Sequence, residues 1–504
     1  MKRKREVYVI SDLHIGGVYP ESPRLGARGF RICTRVRELA QFIDALAAKP
    51  AAGARVELVV NGDFIDFLAE RRAPPVEWSP FLHEPAAAVA KLREIAARDR
   101  ALFDALARLL AAGHELTLLL GNHDLELAIP QVRGTLAEIL ASERFRFLYD
   151  GEAYVIGDVL IEHGNRYDPF NVVDHDLLRR FRSLLSRRQP VPAEYAFQAP
   201  AGSRMVAEVM NPIKERYAFV DLLKPEVEAT VPLLLALEPA LRKKLARVIP
   251  IAVQAARHRM QEDALPSVGG DIRAEPGEAG PDVGGDMGGL QGTAAAPTRS
   301  ADDARLAAAL EHVLGDASEE FLAAIDDGAD AESIGGDISS GSEMLAGAAG
   351  LFSLLTAGAG ALESRLPALL RALRALQNDR TFDRAYEPPS EYTRAAEQLA
   401  REGGFRHIVF GHTHLARDLP LAGGGRYLNT GTWADLVQFP KEILAGPQSA
   451  VRERLRGFCE DLAQSNFERY LVFLPTYARI DVDAEGCVAR AALFDYTGPE
   501  SLAR

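Results

Sequence analysis

The chain has 504 residues, 47% of them hydrophobic and 26% charged, enough for one large core or two to three ordinary domains. Its formal net charge of -13 argues against bulk nucleic-acid binding, which leaves a basic footprint. Three widely spaced cysteines (Cys33, Cys459 and Cys487) form no CxxC pair, which argues against a disulfide framework and for a reducing, cytoplasmic setting.

The opening "MKRKREVYVI" is basic, but its apolar run is too short for a signal peptide. Lys2 to Arg5 read as the solvated start of a strand over 6–10. Val36, Leu39, Ile43 and Leu46 form one helical stripe within 34–49. A second strand is predicted over 56–60 and a third over 116–120. Between them, 85–113 reads as one long helix with Pro near its start and Gly at its end. This β-α-β-α-β order predicts a parallel sheet covered by helices. A hairpin over 153–163 and a strand over 406–410 follow, and 426–437, 469–483 and 487–496 read as antiparallel strands.

From about 171 to 395 strand signals vanish and Ala-, Leu- and Arg-rich helical patterns dominate. The expected organisation is a core in two parts, 1–170 and 396–504, interrupted by a mainly helical insertion or cap. Within the insertion, 265–300 is Gly/Pro-rich with almost no large apolar residues and reads as disordered. Residues 344–362 are uncharged and close to the ~20 residues that span a bilayer, but mostly Ala and Gly. They read as a buried or interfacial helix, with peripheral membrane contact as the alternative. Residues 231–260 read as an ordinary amphipathic helix pair.

The polar clusters fall just beyond the strands. Asp12 and His14 follow the first, Asp63 and Asp66 the second, and Asn122, His123 and Asp124 the third. His163 follows the hairpin, and His412 and His414 follow the strand at 406–410. In open α/β sheets ligands bind beyond the carboxyl ends of the strands, so these residues converge on one rim. Asp, His and Asn suit a divalent transition metal, with manganese first and iron or zinc as alternatives. Asp12, His14, Asp63, Asn122, His163, His412 and His414 are more ligands than one ion needs. With one bridging carboxylate they make two four-ligand sites, the geometry that clamps both oxygens of an in-line displacement. Two divalent ions against Asp12, Asp63 and a hydroxide leave the site positive, which favours an anionic substrate such as a phosphate ester.

The series D-x-H, G-D, G-N-H-D, H, G-H-x-H resembles the calcineurin-like metallophosphoesterase superfamily over about 1–170 and 395–500. The resemblance implies an α/β fold, an αββα sandwich of two mixed sheets flanked by helices. It implies that Asp12, His14 and His414 bind one ion, that Asn122, His163 and His412 bind the other, and that Asp63 bridges. It implies a metal-bound hydroxide as nucleophile, His123 as transition-state stabiliser or acid, and Asp124 as its orienting partner. The "SDLHIGG" opening is similar to the UDP-2,3-diacylglucosamine hydrolase branch, which cleaves a lipid-linked pyrophosphate and carries a helical cap. That branch usually has Arg where this chain has His123, the more general phosphoesterase pattern. The leading expectation is therefore a dinuclear-metal phosphoester hydrolase gated by the insertion. A lipid-linked pyrophosphate hydrolase, a nuclease and a non-catalytic scaffold are the alternatives.

Other residues carry two readings each. Asp66 either caps a helix or serves the site. Arg166 either contacts substrate phosphate or pairs with Asp168. Arg24, Arg28 and Arg31 either fork around phosphate, with Arg28 the leading candidate, or are solvated. Asn429 and Trp433 read as a turn and a core contact. His83, His114, His175, His258, His312 and His407 match no block and read as structural.

Overall fold

In the computed structural model, the described residues are 4–17, 30–50, 54–71, 78–214, 219–224, 366–367, 369–374, 377, 380–463 and 466–503. Most of the insertion, including 231–260, 265–300 and 344–362, lies outside them, as do Arg24 and Arg28.

The strands of three residues or more are β1 (Lys4–Ile10), β2 (Ala54–Asn61), β3 (Glu115–Leu119), β4 (Phe145–Leu148), β5 (Tyr154–Ile156) and β6 (Val159–Ile161). Then come β7 (His407–Phe410), β8 (Ala416–Pro420), β9 (Arg426–Thr430), β10 (Thr476–Val482) and β11 (Val488–Asp495). One sheet has the order β11-β10-β1-β2-β3-β4, and the other β8-β9-β7-β6-β5. Both join the two ends of the chain: β10 pairs antiparallel with β1, and β7 pairs parallel with β6. The expected parallel core is present as β1-β2-β3, with β4 added beyond it.

Side-chain alternation builds the layers. Val7, Val9 and Val59 meet Ile156, Ile161, Val409 and Leu428 in the apolar seam between the sheets. Tyr8, Ile10, Leu58 and Val60 point the other way, onto helices α1 (Val36–Ala47), α2 (Pro85–Arg98), α3 (Arg100–Ala111) and α4 (Pro130–Leu140). Leu160, Ile408 and Phe410 on the far face of the second sheet pack against Ala395 and Ala396 of a C-terminal helix, Glu391–Gly403. Helix, sheet, sheet and helix stack in that order, the αββα sandwich. That last helix spans residue 395, where the insertion was expected to end. No side chain caps the start of α1. Burying its Leu39, Phe42, Ile43 and Leu46 contributes roughly 6–12 kcal/mol before entropy, so packing rather than capping holds it.

Three expectations need correction. The helix predicted over 85–113 is two helices meeting at Asp99. Asp99 is buried against Arg31 at 2.5 Å, and that ion pair fixes the break. The same pair commits Arg31 to structure rather than to phosphate. Second, β9 runs parallel to β7 and is antiparallel only to β8. Third, β4 and β8 went unforeseen because both are short edge strands, half-exposed or polar.

Candidate metal centre

The five motif blocks begin where β1, β2, β3, β6 and β7 end, so the first sheet contributes three and the second two. The backbone there is strained. Asp12, His14, Asp63, His412 and His414 have φ between 44° and 68°, the left-handed region. This costs a residue with a side chain about 1–2 kcal/mol. Among the described residues other than glycine, Ala141 and Arg188 share the conformation. Cross-loop hydrogen bonds hold the strain in place: Leu13 and His14 N–H donate to Asp63 O at 2.9 Å, and Thr432 Oγ1 donates to Asp12 O at 2.6 Å. His412 N–H donates to Asp12 Oδ2 at 2.9 Å. A Cβ at Gly411 would lie 2.7 Å from that same oxygen, so the residue before His412 must be glycine.

Three groups of side chains offer ligand atoms all within 4.8 Å of one another: Asp12, His14 and His414; Asp63, His163 and His412; and His14, Asp63 and His123. The first two share no residue, and Asp63 lies between them, 3.1 Å from His163 Nε2 and 3.8 Å from His14 Nε2. Nε2 of His14 and of His414 are 2.9 Å apart, so at most one carries a proton there and a lone pair faces the shared point. The buried Oδ1 of Asn122 has no hydrogen-bond partner among the described residues. Converging lone pairs and an orphaned amide oxygen fit a divalent ion. His163 Nδ1 contacts Asn61 O at 2.8 Å, the outer contact that fixes a ligating imidazole's tautomer.

Electrostatics are set by burial and mutual charge. Burial opposes ionisation of Asp63, but His163 and His123 hold its carboxyl well below the usual range. Burial lowers His163, yet Asp63 and then Asp12 bring it up to about 9. Burial first, then the charges of Lys224 and His14, push His414 well below its ordinary value. Lys224 is a buried cation of the insertion that the sequence reading did not single out.

His123 is half-buried at the rim, and its Nδ1 lies 3.3 Å from Asp66 Oδ1. Asp66 also lies 3.5 Å from His14 Nδ1 and accepts from Ala69 N–H at 3.2 Å; that bond closes a turn and no helix begins there, so the site reading holds and the helix-cap reading does not. The carboxylate found against the His123 ring is that of Asp66, where the expectation named Asp124. Asp124 instead accepts from the Gly121 and Phe64 N–H groups at 2.8 Å each and braces the two loops. Arg166 donates to Gly151 O at 2.7 Å and lies 3.5 Å from Glu162. The expected partner Asp168 faces His412 Nε2 at 3.0 Å. Asn429 Nδ2 donates to Gly411 O at 2.7 Å, and Trp433 is fully buried, as a turn and a core contact require. His83 and His114 contact the backbone carbonyls of Phe197 and Lys49, and neither they nor His175 and His407 join a metal-ligating group. His258 and His312 lie outside the described residues.

Just behind the rim, Glu126 is buried and accepts from Leu82 N–H at 2.8 Å. Burial, opposed by that bond, pushes its carboxyl up to about 8. Between about 4.5 and 8 the folded chain holds a proton that the unfolded chain has lost, so stability falls as pH rises through that window. Gln keeps the acceptor without the charge. Glu126→Gln is expected to melt several degrees above the parent at pH 8 and close to it at pH 5. A difference independent of pH in thermal melts would refute this.

The αββα fold and its convergent Asp/His/Asn rim are the arrangement expected of a metallophosphoesterase. Residues 6–205 match the family model of calcineurin-like phosphoesterases. No curated protein matches the chain. Among the described residues no helix is long and apolar enough to cross a membrane.

Proposed function

We propose that the chain is a phosphoester hydrolase working with two divalent ions, manganese first among them, on an anionic substrate that enters beneath the insertion. The observation that carries this reading is the pair of ligand groups without a shared residue, with Asp63 between them, on strained backbone. Strain of this kind persists where surrounding structure over-determines it, and it clusters at functional sites.

Asp12, His14 and His414 would hold one ion; Asn122, His163 and His412 the other; Asp63 would bridge. When bound, the ions supply Lewis acidity and charge compensation for in-line attack of water on phosphorus. The protein's own part is positioning and proton transfer. Asp66 fixes the His123 ring through Nδ1, which makes Nε2 the nitrogen that hands a proton to the leaving oxygen. Lys224 adds positive charge behind His414 and favours a phosphorylated substrate over a neutral one.

The test is to strip the full chain of metal, restore Mn²⁺, and measure turnover of a phosphomonoester, a phosphodiester and a nucleotide-sugar pyrophosphate. Mn-dependent turnover of at least one is expected, and the preferred substrate gives the subclass. Failure to bind metal with no turnover would overturn the reading and favour a scaffold.

A further inference from the structure

We propose that Asn171 is the positioning residue of the Asn122/His412 half-site, and that a short helix of the insertion, Ala201–Met205, holds it in place. The inference rests on the two-ion reading above. Asn171 sits between two expected ligands on different strands' ends. Its Oδ1 accepts from Asn122 Nδ2 at 3.2 Å, and its Nδ2 donates to Asp168 Oδ2 at 2.7 Å. The same Asp168 oxygen accepts from His412 Nε2 at 3.0 Å. Asp168 is itself fixed by Phe170 N–H, which donates to its Oδ1 at 2.8 Å.

The order of donors and acceptors makes this a one-way relay. An ionised carboxylate only accepts. Asp168 therefore selects the amide nitrogen of Asn171, which turns the Asn171 oxygen toward Asn122. That oxygen selects the amide nitrogen of Asn122, which leaves Asn122 Oδ1, the orphaned buried oxygen, as the atom offered to a cation. A flipped Asn122 would present N–H groups to the ion instead. At the other end, a proton on His412 Nε2 pointing at Asp168 leaves Nδ1 as the lone pair for the ion. One carboxylate thus sets the amide face of one ligand and the tautomer of another.

The insertion closes the arrangement. Helix Ala201–Met205 docks on this loop, with Gly202 N–H donating to Phe170 O at 2.7 Å. A Cβ at Gly202 would lie 2.2 Å from Asn171 Oδ1, so only glycine permits the approach. Ser203 Oγ reaches Asn122 O at 3.5 Å. Nothing comparable links this helix to Asp12, His14 or His414 among the described residues, so the coupling is to one half-site.

The experiment is Mn²⁺ titration of the metal-free full chain, read by calorimetry and by electron paramagnetic resonance, for the parent, Asn171→Ala and Gly202→Ala. The parent should bind two ions and give an exchange-coupled signal. Both variants should keep one site at parental affinity and weaken the other by about 10–100-fold, with loss of the coupled signal; Asn171→Ala should melt near the parent, and Gly202→Ala somewhat below it because its Cβ crowds Asn171. Two ions at parental affinity in Asn171→Ala would overturn the proposal and leave the two-ion reading standing. Equal weakening of both sites, with a lowered melting temperature, would make Asn171 merely structural and also overturn it. A parent that binds no Mn²⁺ would overturn both readings.

Discussion

Asp63→Asn is expected to lower Mn-dependent turnover at least about 100-fold, beyond what loss of an outer-shell partner costs, and to reduce bound metal from two ions to one or none. Asp63 is the carboxylate that both disjoint ligand groups approach. Its anionic form is held against burial by His163 and His123, so the site is built around that charge. Asn keeps the size and can still accept from His123 N–H, which now donates to Asp63 Oδ1 at 2.9 Å. The main-chain oxygen that accepts from Leu13 and His14 is untouched. The fold should therefore survive. The amide's N–H groups, however, would face His163 Nε2, and neither ion would find a shared anion. Metal analysis, turnover and circular dichroism on the same preparation decide the matter. A variant that keeps two ions and parental turnover would remove Asp63 from the centre of the mechanism.

The rim was legible because its residue types are scarce and its positions regular. Eleven histidines serve 504 residues, and His14, His163, His412 and His414 each fall within four positions of a strand end. The parallel order of the first strands was legible too, since the strand patterns at 6–10, 56–60 and 116–120 alternate with helical ones. What sequence could not give depends on contacts between distant segments. The break at Asp99 needs Arg31, 68 positions away. Asp66 rather than Asp124 faces His123 because the loop after β3 turns Asp124 back on the Gly121 and Phe64 N–H groups. Asp168 and Asn171 carry no motif. Their importance comes from the turn that aims one carboxylate at His412 and one amide at Asn122. The one available signal was the position of Asp168, five residues after His163 in "HGNRYD". The edge strands β4 and β8 were illegible for a plainer reason: all but one of their residues are at least partly exposed, so no buried apolar face marks them.

His123→Ala is expected to lower kcat by about 10²–10⁴-fold while both ions stay bound, the range that removal of a general acid produces. The leaving group supplies the sharper test. An alkyl phosphate needs its departing oxygen protonated, and a nitrophenyl phosphate hardly does. The loss should therefore be large for the first and small for the second. His123 also lies within reach of His14 and Asp63 as a third ligand group, and this gives the competing outcome. If it were a ligand, metal content would fall and both substrates would suffer alike. Asp66→Asn discriminates further. Asp66 meets His123 Nδ1 at 3.3 Å and His14 Nδ1 at 3.5 Å, and an amide could offer the wrong atom to either ring. A loss of about 10–100-fold is expected, smaller than that of His123→Ala. Because the carboxylate acts through the imidazole, the double variant should be no slower than His123→Ala alone. Additive losses would mean that Asp66 acts through His14 instead, and would move its role from proton transfer to metal binding.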